Sequence, residues 1–517
     1  MSSAALPTPA GGPSLSQPKA DAAAWLAVAA GTLGALMATL DVSIVNSALP
    51  RIQGEIGASG TEGTWIATGY LVAEIVMIPL AGWLERLLGL RTLLLLVASL
   101  FTLFSVVCGM SASLGMMIAG RVGQGLTGGA MIPTAQTIIA TRLPRHQQPI
   151  GTAMFGATAI LGPVVGPYVG GWLTENMSWH YAFFLNIPIC AALMALLLIG
   201  LPHQKARLDL IGEADWLGIV GLTAFLGALT IALEEGQRDQ WLSSPFIVWM
   251  FAISLLGLVL LLVGQRTSVR PVIRLSILLN RQFGSVVVMG LVVGMVIYGT
   301  SYMIPQFLAN ISDYNSMQAG LIVALSGIPS LMMMPLVPLM IRHLDIRLAV
   351  ALGLFILALS AWLETDLSAL SDGSAFVESQ LMRGVGTILA MLFLNQAAIQ
   401  SVPVIHASDA AGLFNAARNL GGSFALAGIA ILQDQRSWFH GRRLEETLHA
   451  NSERVQDYVQ HNGTVSYMQL ESLLQTQALT MTYIDLFWIL SVGIACVIPL
   501  ALFLRPLNRN APLSAGH

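Results

Sequence analysis

Residues 162–172 read GPVVGPYVGGW. Gly162, Gly166, Gly170 and Gly171 recur at nearly every fourth residue, with Pro163 and Pro167 between them. The stretch lies inside an apolar run, 150–173. Glycines at four-residue spacing leave a flat stripe along a membrane helix, where a second helix can approach the backbone closely. Prolines kink such a helix, and neighbouring helices satisfy the carbonyls they free. The stretch reads as a packing seam and as a hinge for rocking one helix bundle, because a seam that moves must still be well packed.

Working outward, apolar runs of about 20 residues recur along the whole chain, the length a helix needs to cross a bilayer. The 517 residues are 55% hydrophobic and 10% charged, with mean hydropathy +0.73. A soluble domain carries about 25% charge. The sequence thus predicts an all-α polytopic membrane protein with no soluble domain of normal size. Fourteen spans are predicted, at 23–49, 63–84, 92–111, 114–139, 150–173, 180–201, 214–235, 246–265, 283–309, 317–341, 345–364, 374–402, 408–432 and 483–506. About fifty mostly polar residues, 433–482, separate the last two. Arginines such as Arg86, Arg91, Arg142, Arg145, Arg266, Arg270, Arg342 and Arg347 gather in the short loops of one side, which only Arg51 and Arg238 balance on the other. The positive-inside rule then places both termini in the cytoplasm and 433–482 outside. The first 22 residues are rich in Ala, Pro, Ser and Gly without a signal-peptide cleavage pattern and read as a disordered cytoplasmic tail. Cys108, Cys190 and Cys496 all fall in apolar spans, without metal or disulfide spacing, and read as packing residues.

Ionisable groups inside membrane helices are expensive and are functional candidates by default. Here they are Asp41, Glu74, Arg121, Arg383 and Arg418, with Glu378, Asp409 and Asp485 near span ends. The fourth span, GRVGQGLTGGAMIPTAQ (120–136), puts Arg121, Gln124, Gly125 and Gly128 on one helix face. Its Gly123, Gly125 and Gly128 spell G-x-G-x-x-G, but a dinucleotide site needs a strand before it, and this match lies within an apolar helix. The loop GWLERLLGLR (82–91) carries Glu85, Arg86 and Arg91, which read equally as an ion-pair latch and as a plain positive-inside anchor. No G-x-x-x-x-G-K-[ST], no H-E-x-x-H and no nucleic-acid-binding feature is present. No cofactor and no enzymatic activity are expected.

Together these pieces resemble the major facilitator superfamily, and most closely its fourteen-span drug:proton antiporter branch with the EmrB-type pumps. DVSIVNSALP (41–50) resembles that branch's first-span motif. Arg121, Gln124 and Gly125 match its fourth-span R-x-x-q-G, and Gly162 to Gly171 match its fifth-span antiporter motif. WHYAFFLNIP (179–188) resembles its segment at the sixth span, and NAARNLGGS (415–423), with Arg418, its thirteenth. One departure is visible. The family's second-loop motif, G-x-L-a-D-R-x-G-R-K, has an aspartate where Arg86 stands, with Glu85 one position early. A basic residue there is common in the EmrB-type subgroup.

The resemblance implies the superfamily fold with N-in/C-in topology. A cytoplasmic tail (1–22) would precede an N-terminal six-helix bundle (23–201), two inserted transmembrane helices (214–265) and a C-terminal six-helix bundle (283–506). That second bundle would include the external, periplasmic loop 433–482, and a tail (507–517) would follow. It also implies a bacterial inner-membrane pump that exchanges protons for small amphipathic compounds, completed by a periplasmic membrane-fusion adaptor and an outer-membrane channel. RLEETLHANSERVQDYVQ and YMQLESLLQTQAL, in the loop, read as amphipathic helices suited to such a partner.

Asp41 lies about eight residues before the outer end of the first span and Arg121 about seven after that of the fourth, so both sit roughly 10–12 Å deep. A contact between them is therefore possible. Asp41 and Glu74 are the candidate proton carriers, with Arg121 tuning Asp41. For cargo, the polar groups at depth in the second half are Tyr298, Tyr302, Gln306, Asn395, Gln396 and Asn415, beside an adaptable Met332–Met334 wall. A proton-coupled exporter of one metabolite or siderophore fits the same motifs. A non-transporting sensor fits them less well, since no signalling domain is attached.

Overall fold

The computed structural model describes residues 20–58, 60–144, 146–268, 271–403, 406–447 and 466–504. Fourteen helical segments organise them. They are α1 (Ala22–Ile56), α2 (Trp65–Leu88), α3 (Leu90–Gly109), α4 (Leu114–Arg142), α5 (Gln148–Asn176), α6 (Asn186–Gly200), α7 (Trp216–Glu235) and α8 (Pro245–Thr267). Then come α9 (Arg281–Ile311), the interrupted α10 (Ser316–Ala324, Gly327–Met333 and Val337–His343), α11 (Ile346–Leu363), α12 (Val377–Gln400), α13 (Ala407–Thr447) and α14 (Ser466–Val497). Among the described residues there is no strand.

Local chemistry sets the boundaries. Asp21, Ser113, Asp215, Asn280, Asn315 and Asp345 cap helix starts with side-chain oxygens, each satisfying a backbone N–H that has no partner within its helix. Gly89 turns α2 into α3 at φ +77°, in the left-handed half of the map that a side chain would resist. Pro329, Pro335 and Pro338 break the predicted span 317–341 into three pieces, since proline removes a donor and crowds the preceding turn.

Among the described residues, eleven helical stretches are long and apolar enough to cross a membrane. α4, α5 and α13 are not among them, although they run 29, 29 and 41 residues and pack among the rest. At 1.5 Å per residue α13 is about 60 Å long, roughly twice a hydrocarbon core. So 433–447 continues α13 without a break, and 466–482 already belongs to α14. Residues 448–465, both tails up to residue 19 and from 505, and Arg145 and Arg270 lie outside the described residues.

One apolar cluster gathers α1, α2, α3, α4 and α6, around Val28, Leu94, Phe101, Ile138 and Leu193. A second gathers α9, α11, α12 and α13, around Met289, Val350, Leu389 and Phe414. α7 and α8 pair by glycine contact: a Cβ on Gly221 would come 2.8 Å from the Gly257 carbonyl oxygen, and the reverse is also 2.8 Å. This pair lies on α2 through Ile75, Val76, Leu222 and Leu226. The two halves meet along a seam where α2 and α4 face α13, and α5 faces α10 and α12.

Candidate functional site

The glycines of 162–171 pack against α1. A Cβ on Gly162 would lie 2.5 Å from Thr39 Oγ1, and one on Gly170 only 2.7 Å from the Ile44 carbonyl oxygen. Gly166 meets Ser43, whereas Gly171 faces open space. Pro167 is exposed. The small hydroxyls of α1 thus line one face of the seam.

Asp41 occupies another face of α1 and is fully buried. Arg121, also buried, donates from Nη1 to Asp41 Oδ2 at 2.5 Å. Gln124 and Asn186 donate to Asp41 Oδ1 at 3.1 and 2.7 Å. Both amides also donate to Ser105 Oγ, at 2.8 and 3.2 Å. Arg121 lies over the Tyr70 ring at 4.3 Å and donates to the Ile66 carbonyl. Five helices therefore converge on one ion pair. The close approach of α4 to α2 depends on Gly125, whose Cβ would strike the Tyr70 carbonyl, and on Gly129 against Glu74. Counting residues along the spans gave Asp41 and Arg121 equal depth, and they touch. Asn186 and Ser105 were missed as partners, although Asn186 stands inside the quoted WHYAFFLNIP.

Glu74 contrasts with Asp41. It is buried on α2, yet among the described residues no hydrogen bond or ion pair reaches its carboxylate. Its charged neighbours are Arg418 of α13, Arg121 and Asp41. Among the described residues the Arg418 guanidinium bonds only its neighbour Asn419, at 3.3 and 3.2 Å. A carboxylate with no bond and an arginine with no acidic partner among the described residues thus lie in the same neighbourhood, on helices of opposite halves.

At the arginine-rich end of the seam Arg86 donates to Asp409 at 2.8 Å and to the Val272 carbonyl at 3.1 Å. Ser408 donates to Glu85 at 2.7 Å. Gly82 lets the two helices close here, since a Cβ would come 3.0 Å from Ser408 and 3.1 Å from Asp409. Arg91 plays no part across the seam and donates to the Leu201 carbonyl at 2.9 Å. His406, in the turn just before α13, has its pKa lowered by burial and by the nearby Arg274 and Arg86 charges.

Just inside this end, amides bridge the halves. Gln136 donates to Asn395 at 2.8 Å, Asn415 donates to Gln136 at 3.0 Å, and Thr152 donates to Gln396 at 3.1 Å. Asn395, Gln396 and Asn415 are buried, and the Asn415 side-chain oxygen has no partner among the described residues. The other three cargo candidates lie apart from them on α9. Tyr298 and Tyr302 are exposed, Tyr298 packs on Gly422, and Gln306 accepts from Asn310.

A second buried pair escaped the sequence reading. Arg383 of α12 bonds Glu364, the C-cap of α11, at 2.5 Å, and Ser379 donates to the same carboxylate at 2.8 Å. Asp485 pairs with His440 at 2.7 Å and ties α14 to α13. No group of metal-ligating side chains occurs among the described residues.

Three comparisons place this arrangement. A profile of the Major Facilitator Superfamily matches residues 31–426. The colistin resistance protein EmrB of Acinetobacter baumannii is 33% identical over 468 residues, 90% of each chain. The multidrug export protein EmrB of Escherichia coli strain K12 is 28% identical over 501 residues, 94% of this chain and 95% of that one. The human organic anion transporter MFSD10 has a similar fold, with TM-score 0.59 at 15% identity, over 91% of this chain and 99% of that one. Such a family makes the protein a transporter rather than an enzyme. The chain belongs to the major facilitator superfamily and, within it, to the EmrB-type multidrug efflux pumps.

Proposed function

We propose that this protein is a proton-coupled antiporter that exports amphipathic toxic compounds from the bacterial cytoplasm across the inner membrane. In this reading all fourteen helical segments span the bilayer and both termini are cytoplasmic. The arginine-rich end is then the cytoplasmic end, and the seam closed by Arg86–Asp409 and the Gln136 amides is a shut cytoplasmic gate. Drugs as the cargo class are supported by the relatives, a colistin resistance protein and a multidrug export protein. Coupling is carried by one observation, the contrast between Asp41 and Glu74. Three donors hold Asp41. Glu74 has none and lies near Arg418 of the opposite half, so a rocking motion changes its surroundings most. We assign the proton to Glu74 and a bracing role to Asp41 and Arg121.

Energy supply is adequate. One charge crossing 100 mV is worth about 2.3 kcal/mol, which sustains roughly a fifty-fold gradient of a neutral cargo at 1.4 kcal/mol per factor of ten. The helical extensions of α13 and α14 beyond the bilayer would offer a surface to a periplasmic membrane-fusion adaptor, with an outer-membrane channel beyond it.

Glu74→Gln tests the assignment. Purified variant in proteoliposomes with an interior pH dye should lose drug-driven proton flux at least tenfold while eluting as the folded protein. Undiminished flux would move the proton elsewhere.

A further inference from the structure

The inserted helices α7 and α8 have no role in the reading above. The last turn of α7 and the turn that continues it carry four polar residues in alternation. Thr68 of α2 donates to Glu235 at 3.0 Å, and Arg238 bonds Glu235 at 2.6 Å and Thr64 at 3.0 Å. Ser423 of α13 donates to Glu234 at 2.8 Å, and Gln237 donates to Asp434 of α13. Residues three apart share a helix face and adjacent ones do not. Glu235 and Arg238 therefore engage the first half, and Glu234 and Gln237 the second. On α2, Thr68 stands eighteen residues before Arg86, about 27 Å along the helix. The seam is thus tied at two levels, by Arg86–Asp409 at one end and by α7 at the other.

The two attachments of α7 differ in strength. Toward α2 the inserted pair is held along its length by Ile75, Val76, Leu222 and Leu226. Edge-on aromatic pairs pin both ends, Trp83 on Trp216 and Trp65 on Phe246, each with ring centroids 6.4 Å apart. From α13 that cluster takes in Leu413 and Leu420, which are partly buried at its margin, so the Glu234 and Gln237 bonds matter more there. A rigid-body turn of about 15° acting on a lever of about 12 Å moves that end by roughly 3 Å. Hydrogen bonds of 2.8 Å do not survive such a shift.

We infer that α7 and α8 travel with the first half, and that Glu234 and Gln237 are positioning residues that catch and release α13 as the halves rock. The inference rests on the alternating-access reading above, while its test needs no cargo. In full-length protein freed of Cys108, Cys190 and Cys496, a disulfide is formed either between Gln237→Cys and Asp434→Cys or between Thr64→Cys and Arg238→Cys. A third cysteine, Leu392→Cys, reports opening of the closed end. Leu392 is buried and packs on Gly156 across the seam. Its labelling rate with a water-soluble maleimide is read in proteoliposomes, beside drug flux.

The 237–434 disulfide should slow labelling about tenfold, reversibly with reductant, whereas the 64–238 disulfide should leave it within about twofold. Equal slowing by both disulfides, or no slowing by the first, overturns the clasp. Labelling that behaves as expected with no drug flux in any variant upholds the clasp and overturns the export reading.

Discussion

Replacing Asp41 by Asn should destabilise the fold before it affects transport. The side chain is wholly buried against Arg121, which is 1% exposed. An asparagine would leave the guanidinium buried without a counter-charge and turn an N–H toward it. Breaking one partner of such a pair costs about 3–5 kcal/mol. Arg121→Gln should cost a similar amount. It leaves a buried carboxylate with two amide donors, and it removes the stacking on Tyr70, worth about 1 kcal/mol. The double variant removes both charges and needs only neutral hydrogen bonds, which Gln124, Asn186 and Ser105 already supply. Its cost should fall well below the sum of the two single changes, giving a coupling energy of about 3 kcal/mol. Unfolding in mixed micelles, followed by tryptophan fluorescence, measures all four corners of the cycle. Additive costs, with a coupling below about 1 kcal/mol, would refute the view that this network is a brace.

Two further outcomes follow from the seams. Asp409→Asn should raise maleimide labelling of Leu392→Cys about fivefold by loosening the Arg86 contact, and the reversed pair Arg86→Asp with Asp409→Arg should restore it, while Arg91→Ala should have no effect. Gly170→Ala should cost about 1–3 kcal/mol, because its Cβ meets the Ile44 backbone of α1 even after the Ser47 hydroxyl turns aside. Gly171→Ala should be neutral in the same unfolding assay, having open space around it. Equal costs for the two would mean that the four-residue spacing does not mark the α1–α5 contact.

The helical architecture was legible because bilayer length and apolar content act on every span alike. α4, α5 and α13 show where that signal weakens. α4 is buried almost throughout by Gly, Thr and Gln, so its hydropathy is low for the same reason that it is central. The depth of Asp41 and Arg121 could be counted from residue rise alone, whereas Asn186 and Ser105 join them only through the packing of α6 and α3. Helical period says which face a residue occupies and leaves open what covers that face. Asn395, Gln396 and Asn415 were recognisable as polar groups at depth. Their partners, Gln136 and Thr152, lie more than two hundred residues away in the chain, and only the closed seam pairs them. The three pieces of α10 escaped because Pro329, Pro335 and Pro338 stand inside a run whose hydropathy alone favours one helix.

Burial also explains how the charge order at 85–86 can depart from the family's pattern and still close the seam. A contact across two rocking bodies needs opposite charges on the two sides; which side carries which is free. Here Arg86 on α2 meets Asp409 on α13, and Glu85 meets a hydroxyl. The Arg86 side chain is 38% exposed, while that of Asp409 is 2% exposed. Because Arg86 keeps much of its water, this pair should be easier to part than one buried on both sides. Asp41–Arg121 would need about 3–5 kcal/mol to separate, more than the roughly 2.3 kcal/mol that one charge gains in crossing 100 mV. In the proposed cycle the half-exposed pair would open and close, whereas the pair buried on both sides would stay closed within the first half. Glu74, buried and without a partner among the described residues, would need no bond broken to take or give the proton proposed for it. In the antiport proposed above, burial and pairing would divide the three acidic positions into brace, latch and carrier.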